Sequence, residues 1–104
     1  MDPLDRLEAT IRARRGADPA GSYTASLFAK GRPRIAQKRG EEAVETIIAA
    51  MAQPDKLVSE AADLVFHLIV LLADAGLGLD DVRAELARRD GVSGHDEKAA
   101  RPAS

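Results

Sequence analysis

The segment from Asp55 to Ala75, DKLVSEAADLVFHLIVLLADA, limits the possible folds more than any other part of the chain. Read as a helix at about 100° per residue, it places Lys56, Glu60, Asp63, His67 and Asp74 on one narrow stripe. The rest of its circumference is apolar, from Leu57 and Val58 through Leu64, Val65, Phe66 and Leu68 to Leu72. A helix lying on the surface of a monomer shows an apolar arc of something over 100°. One that is apolar nearly all round must be covered on most sides. A chain of 104 residues buries only about two-thirds of the surface exposed on unfolding, so it has little material for that cover, and a second copy supplies it. The expected fold is therefore all-α. It is an antiparallel bundle of four main helices, dimerising through the second and third.

The other helices are marked by their ends. Asp2 caps and Pro3 opens a first helix running to about Arg15, with Leu4, Leu7 and Ile11 on one side. GADPAGS then breaks the chain. Ser22 or Thr24 caps a short helix that Gly31 ends, and its Leu27 and Phe28 need a surface to rest on. Pro33 opens the second long helix, on which Ile35, Val44, Ile47, Ile48 and Met51 are read as one face. Gly40 inside it costs up to about 1 kcal/mol relative to alanine, which asks for a reason such as the close approach of another chain. After Gly76, Asp80 is expected to cap a last helix carrying Val82 and Leu86. No segment alternates like a strand. Residues 1–90 read as one all-α domain, and the polar, aperiodic residues 91–104 read as a disordered tail.

Charge and composition exclude several function classes. The net charge of −2 offers no bulk electrostatic hold on nucleic acid or an anionic membrane. Without cysteine there is neither a disulfide framework nor a thiolate zinc site. MDPLDRLEA lacks the basic start and apolar core of a secretory signal. The most apolar run, Leu64 to Ala73, holds His67 and falls short of the roughly 20 residues needed to cross a bilayer. These features point to the cytoplasm.

The chemistry lies in the acidic residues. RGEEAVETIIAAM crowds Glu41, Glu42 and Glu45 together on the second long helix, and Glu42 and Glu45 share a face at i and i+3. Glu60 and Asp63 repeat that spacing on the next helix. A short turn between the two helices makes them antiparallel neighbours, and both pairs lie at similar distances from it, so they can meet. Carboxylates converging in this way repel unless a cation sits among them or some stay protonated. Oxygen-only ligands suit Mg²⁺, Mn²⁺ or Ca²⁺ rather than zinc or copper, and Mg²⁺ shares its coordination with substrate phosphates. The blander alternative is a solvated polar edge.

Glu42-Ala43-Val44-Glu45 and Glu60-Ala61-Ala62-Asp63 resemble the ExxE…ExxD signature of the all-α nucleotide pyrophosphohydrolases, the MazG-like superfamily. GSYTASLFAKGRPRIAQKRGEEAVETIIAA followed by SEAADLVFHLIVLLADAGLGLDDVRAELARR narrows the resemblance to the phosphoribosyl-ATP pyrophosphohydrolase family of histidine biosynthesis, over about Leu4 to Arg89. The resemblance implies a helical, dimeric, Mg²⁺-dependent enzyme that cleaves between the α and β phosphates of phosphoribosyl-ATP, leaving phosphoribosyl-AMP and pyrophosphate. It implies Glu42, Glu45, Glu60 and Asp63 as metal ligands, with Glu41 as a further ligand or the base for the attacking water.

Lys30, Arg32, Arg34, Lys38 and Arg39 cluster near the start of the second long helix. Lys38, Arg34 and Lys30 are the candidates for holding substrate phosphates, and a solvated basic run is the alternative. Ser22, Tyr23 and Thr24 are candidates for lining the nucleotide site, against a plain capping turn. His67 reads as a partner to the ligands or as a satisfied interface histidine. Two other functions compete: a house-cleaning hydrolase of non-standard nucleoside triphosphates, and a non-catalytic helical dimer.

Overall fold

The structure, a computed structural model, describes residues 2–91 and 94–101. All its regular elements are helical: α1 (Pro3–Arg14), α2 (Tyr23–Lys30), α3 (Arg32–Ala52), α4 (Leu57–Asp74), α5 (Leu79–Arg88) and α6 (Gly94–Ala100), with one 3₁₀ turn at Pro54–Lys56. Among the described residues no single helix is long and apolar enough to cross a membrane.

Local signals set most of the helix ends. The Asp2 carboxylate accepts from the Leu4 amide at 2.6 Å, and Pro3 follows at the first helical position. The Ser22 hydroxyl accepts from the Ala25 amide at 3.2 Å, so Ser22 rather than Thr24 is the cap of α2. Gly31 ends α2 with φ of +88°, a conformation that costs glycine nothing, and the chain turns there directly into α3. The expected Asp80 cap is not formed. α5 begins at Leu79, its cap is Gly78, and the Asp81 carboxylate reaches back to the Gly78 amide at 2.8 Å. Asp80 instead pairs with Arg83 at 2.9 Å, and Glu8 of α1 accepts from the Leu79 amide at 2.6 Å.

α3 and α4 run antiparallel, as their cross-contacts show: Arg32 meets Asp74, Glu42 meets His67, and Thr46 meets the Glu60 carbonyl. The core lies where α1 and α2 close over this pair, and consists of Ile11, Leu27, Ile35, Ile69, Val70 and Ala73. Two arginines seal its far end. Arg15 donates to the Ala73 carbonyl at 2.7 Å and Arg32 to the Asp74 carbonyl at 3.2 Å, satisfying acceptors that a helix C-terminus leaves open.

Two further sequence expectations differ from the structure. Ile35 does not share a face with Val44, Ile47, Ile48 and Met51: it is fully buried and they are exposed. Nine residues separate Ile35 from Val44, which is two and a half helical turns, so the two lie on opposite sides. The polar stripe of α4 lies partly against α3, in keeping with the expected meeting of the two helices' acidic residues: His67 is buried and Glu60 and Asp74 are half-buried, while Lys56 and Asp63 stay exposed. Finally, part of the segment expected to be disordered forms α6, whose described residues are exposed. Its alanines and Lys98 are good helix formers and suffice for two turns. Residues 92, 93 and 102–104 of that segment lie outside the described residues.

Candidate active site

The α3–α4 seam brings the acidic pairs together. Glu42, Glu60 and Asp63 each offer a carboxylate oxygen, and these oxygens lie within 4.8 Å of one another. Glu42 is buried, Glu60 half-buried and Asp63 exposed, so the group opens to solvent on the Asp63 side. Glu45, exposed on α3, is not one of these three, but its charge acts on both Glu42 and Glu60. The Thr46 hydroxyl lies between the two helices, 2.8 Å from the Glu42 carbonyl and 3.3 Å from that of Glu60.

The electrostatics are those of crowded, partly buried carboxylates. Burial, and next the Glu45 carboxylate, push the Glu42 carboxyl above the ordinary carboxylate range, while His67 works in the opposite direction. Burial and Glu45 raise Glu60 in the same sense. One oxygen of Glu42 and one of Glu60 are buried with no hydrogen-bond partner. Leaving such groups unpaired is costly, and a small divalent cation taking oxygen ligands would satisfy both. The donor set therefore fits Mg²⁺, Mn²⁺ or Ca²⁺.

The remaining candidates are arranged around this cluster. Glu41 is not drawn into it: its carboxylate is taken up by Lys38 at 3.4 Å and by the Gln37 amide at 3.2 Å. At 100° per residue, Arg34 and Lys38 precede Glu42 and Glu45 along one side of α3. Lys30 is exposed at the end of α2. Ser22 caps α2 and Thr24 is half-buried beside it. Tyr23 reaches across to α4, where its hydroxyl lies 2.9 Å from His67 Nε2. The sequence reading did not foresee this contact or the bridging position of Thr46. Thr46 was detectable as a hydroxyl four residues after Glu42, on the same side of the helix, whereas the Tyr23–His67 contact spans 44 residues and left no local signal.

Comparison with known proteins identifies the family. The family model for phosphoribosyl-ATP pyrophosphohydrolase matches residues 4–90. A phosphoribosyl-ATP pyrophosphatase of Rhizorhabdus wittichii is 68% identical over 100 residues, covering 95% of this chain and 94% of its own. The protein of the same name from Erythrobacter litoralis is 62% identical over 102 residues (97% and 98% covered). That from Zymomonas mobilis is 61% identical over 104 residues (99% and 97%). With the match spanning nearly the whole chain, the chain belongs to the phosphoribosyl-ATP pyrophosphohydrolase family.

Proposed function

We propose that this chain hydrolyses phosphoribosyl-ATP to phosphoribosyl-AMP and pyrophosphate, a step of histidine biosynthesis in the cytoplasm, with Mg²⁺ as cofactor. The observation that carries the reading is the pair of buried, unpartnered oxygens on Glu42 and Glu60, gathered with Asp63 within 4.8 Å. Glu42, Glu60 and Asp63 would hold the ion, with Glu45 at the rim of the set. When bound, the ion neutralises phosphate oxygens and lowers the pKa of a bound water. Glu45, which is exposed, would be the carboxylate not engaged by the ion and would take the proton of the attacking water. Arg34 and Lys38, on the same side of α3, and Lys30, at the end of α2, hold the remaining phosphate charge. Glu41 keeps Lys38 in place from the flank. Ser22, Tyr23 and Thr24 line the nucleotide side. Catalysis then comes mainly from positioning and charge stabilisation.

The assay is pyrophosphate release from phosphoribosyl-ATP with Mg²⁺, with a chelator, and against a panel of nucleoside triphosphates. Turnover of phosphoribosyl-ATP that needs Mg²⁺ and exceeds that of the panel is expected. Equal or faster release from the panel would move the substrate assignment elsewhere.

The working form is a homodimer. Val44, Ile47, Ile48 and Met51 leave 53–84% of their surface exposed on one side of α3, and Val58 is 82% exposed. Large apolar patches of this kind mark interaction surfaces. Gly40 falls on the same side of α3, and a Cβ there would meet nothing within 4 Å in this chain, which leaves room on that side for the close approach of a second copy. Covering α3 and α4 with a second copy also completes the antiparallel bundle. Light scattering should give about twice the 11.1 kDa chain mass. The double substitution Ile47→Asp, Met51→Asp should give a monomer, and a wild-type chain that is already monomeric would exclude the dimer.

A further inference from the structure

We propose that His67 is a positioning residue that fixes the Tyr23 ring as the stacking platform for the purine base of the substrate; this deepens the function proposed above and rests on it. His67 is only 5% exposed, and both of its ring nitrogens are engaged. Nδ1 lies 2.8 Å from the Asp63 carbonyl, which can only accept, so Nδ1 carries a proton and donates it there. Nε2 lies 2.9 Å from the Tyr23 hydroxyl. The same imidazole has Nδ1 4.0 Å from a Glu42 carboxylate oxygen. A single ring thus joins the first residue of α2 to the peptide of one candidate metal ligand and the side chain of another.

Tyr23 itself is 52% exposed. A tyrosine that open would normally swing freely, but here its hydroxyl is pinned and its ring is backed by Phe66, at 6.1 Å between centroids and 22° between planes. His67 meets both rings edge-on, at 6.0 Å from Tyr23 and 5.1 Å from Phe66. The chain has one tyrosine, two phenylalanines and no tryptophan, and two of those three rings sit at this edge of the acidic cluster. The third, Phe28, lies under the Arg15 guanidinium, 5.3 Å from its ring centroid, and both phenylalanines also pack against the core. A half-open, immobilised aromatic ring presents a π-face that any base can stack on. With the reacting phosphates at the carboxylates and Tyr23 one imidazole away, the nucleoside end of the substrate runs naturally across the rim to that ring.

The experiment uses Tyr23 as its own probe, since it is the only tyrosine. In NMR spectra of protein labelled at tyrosine, AMP should shift the Tyr23 ring protons upfield by the ring current of adenine, and ribose 5-phosphate should not. His67→Leu should shrink that shift and raise KM for phosphoribosyl-ATP about tenfold, with a smaller effect on kcat. Tyr23→Phe should raise KM in the same direction, and adding His67→Leu to it should cost little more, because both remove one link. A His67→Leu penalty that is undiminished in the Tyr23→Phe background would overturn the positioning role and leave His67 as packing alone. Turnover of phosphoribosyl-ATP with no AMP-induced shift at Tyr23 would overturn the platform while leaving the proposed reaction intact. An AMP-induced shift without turnover would support the platform and count against the reaction instead. Should His67→Leu fail to fold, Tyr23→Ala at its half-exposed site is the second variant. An unchanged KM there would equally overturn the proposal.

Discussion

Glu42→Gln is expected to lower Mg²⁺-dependent turnover of phosphoribosyl-ATP by about 10²–10³-fold, the scale of losing one group that stabilises charge in a transition state, and to make the metal-free protein more stable. The two effects share one cause. Glu42 is the most buried member of the acidic group, one of its oxygens has no partner, and its carboxyl is pushed up by burial first and Glu45 second. Folding without an ion must desolvate this charge beside others of the same sign. Glutamine keeps the shape and removes the charge. A loss of turnover accompanied by a lower melting temperature in chelator would mean that Glu42 holds the fold rather than an ion.

The pH dependence of stability has the same origin, and its sign is definite. A carboxyl whose folded pKa lies above its unfolded value binds more protons in the folded state over the interval between them, so stability falls as pH rises through that interval. For Glu42 and Glu60 the interval begins at the ordinary value near 4.5 and extends upward to the raised folded values. Metal-free protein should therefore melt at a higher temperature as pH is lowered toward 4.5. Glu85 acts in the opposite sense. A hydrogen bond from Arg88, supported by Arg89, holds it down to about 2, so its contribution is intact above 4.5 and is lost only as pH falls through the range below. Mg²⁺ should stabilise the protein most at neutral pH and less as acid restores protons to its ligands. Melting curves in chelator and in Mg²⁺ across pH 4.5–8 test both statements, and a metal-free melting temperature that rises steadily with pH would contradict the first.

Ile35→Ala carries the largest expected loss of stability. Ile35 is fully buried on the side of α3 that meets Leu27, Ile69 and Val70. Removing its side chain forfeits transfer free energy and leaves a cavity, together about 2–5 kcal/mol. Small domains have only about 5–15 kcal/mol in total, and at roughly 4–8 °C per kcal/mol the melting temperature should drop by roughly 10 °C or more. Ile47 is the useful contrast. It is 64% exposed in this chain, where truncation to alanine would stay within about 0.5 kcal/mol. A second copy over α3 would raise that cost toward the Ile35 scale and make it depend on protein concentration. Equal, small losses at the two positions would contradict the packing described here.

Much of the molecule was legible in the sequence, for reasons that can be named. The Asp2 cap, Pro3 at its helix start and Gly31 between α2 and α3 are effects of neighbouring residues on their own backbone, so a linear reading finds them, and it narrows the cap of α2 to Ser22 or Thr24. The acidic pairs were legible because spacing of three on a helix puts side chains together regardless of what packs outside. The short link between α3 and α4 then left little choice about where the pairs would meet. The face assigned to Ile35 failed for a related reason: Val44, Ile47, Ile48 and Met51 do form a periodic group, but Ile35 lies half a turn out of phase with it, and only the phase against the rest of the group separates a core residue from an exposed one.

The amino-acid sequence alone determined that the chain is helical, where most helices begin, and which carboxylates share a helix face, because each of these depends on residues within a turn or two of one another. The tertiary structure alone decided that His67 is buried while Asp63 on the same stripe stays exposed, that Glu42 lies buried with an unpartnered oxygen, and that Tyr23 meets His67 across the chain. Those outcomes turn on burial and on contacts between distant segments, whose energies do not exist until the helices have packed.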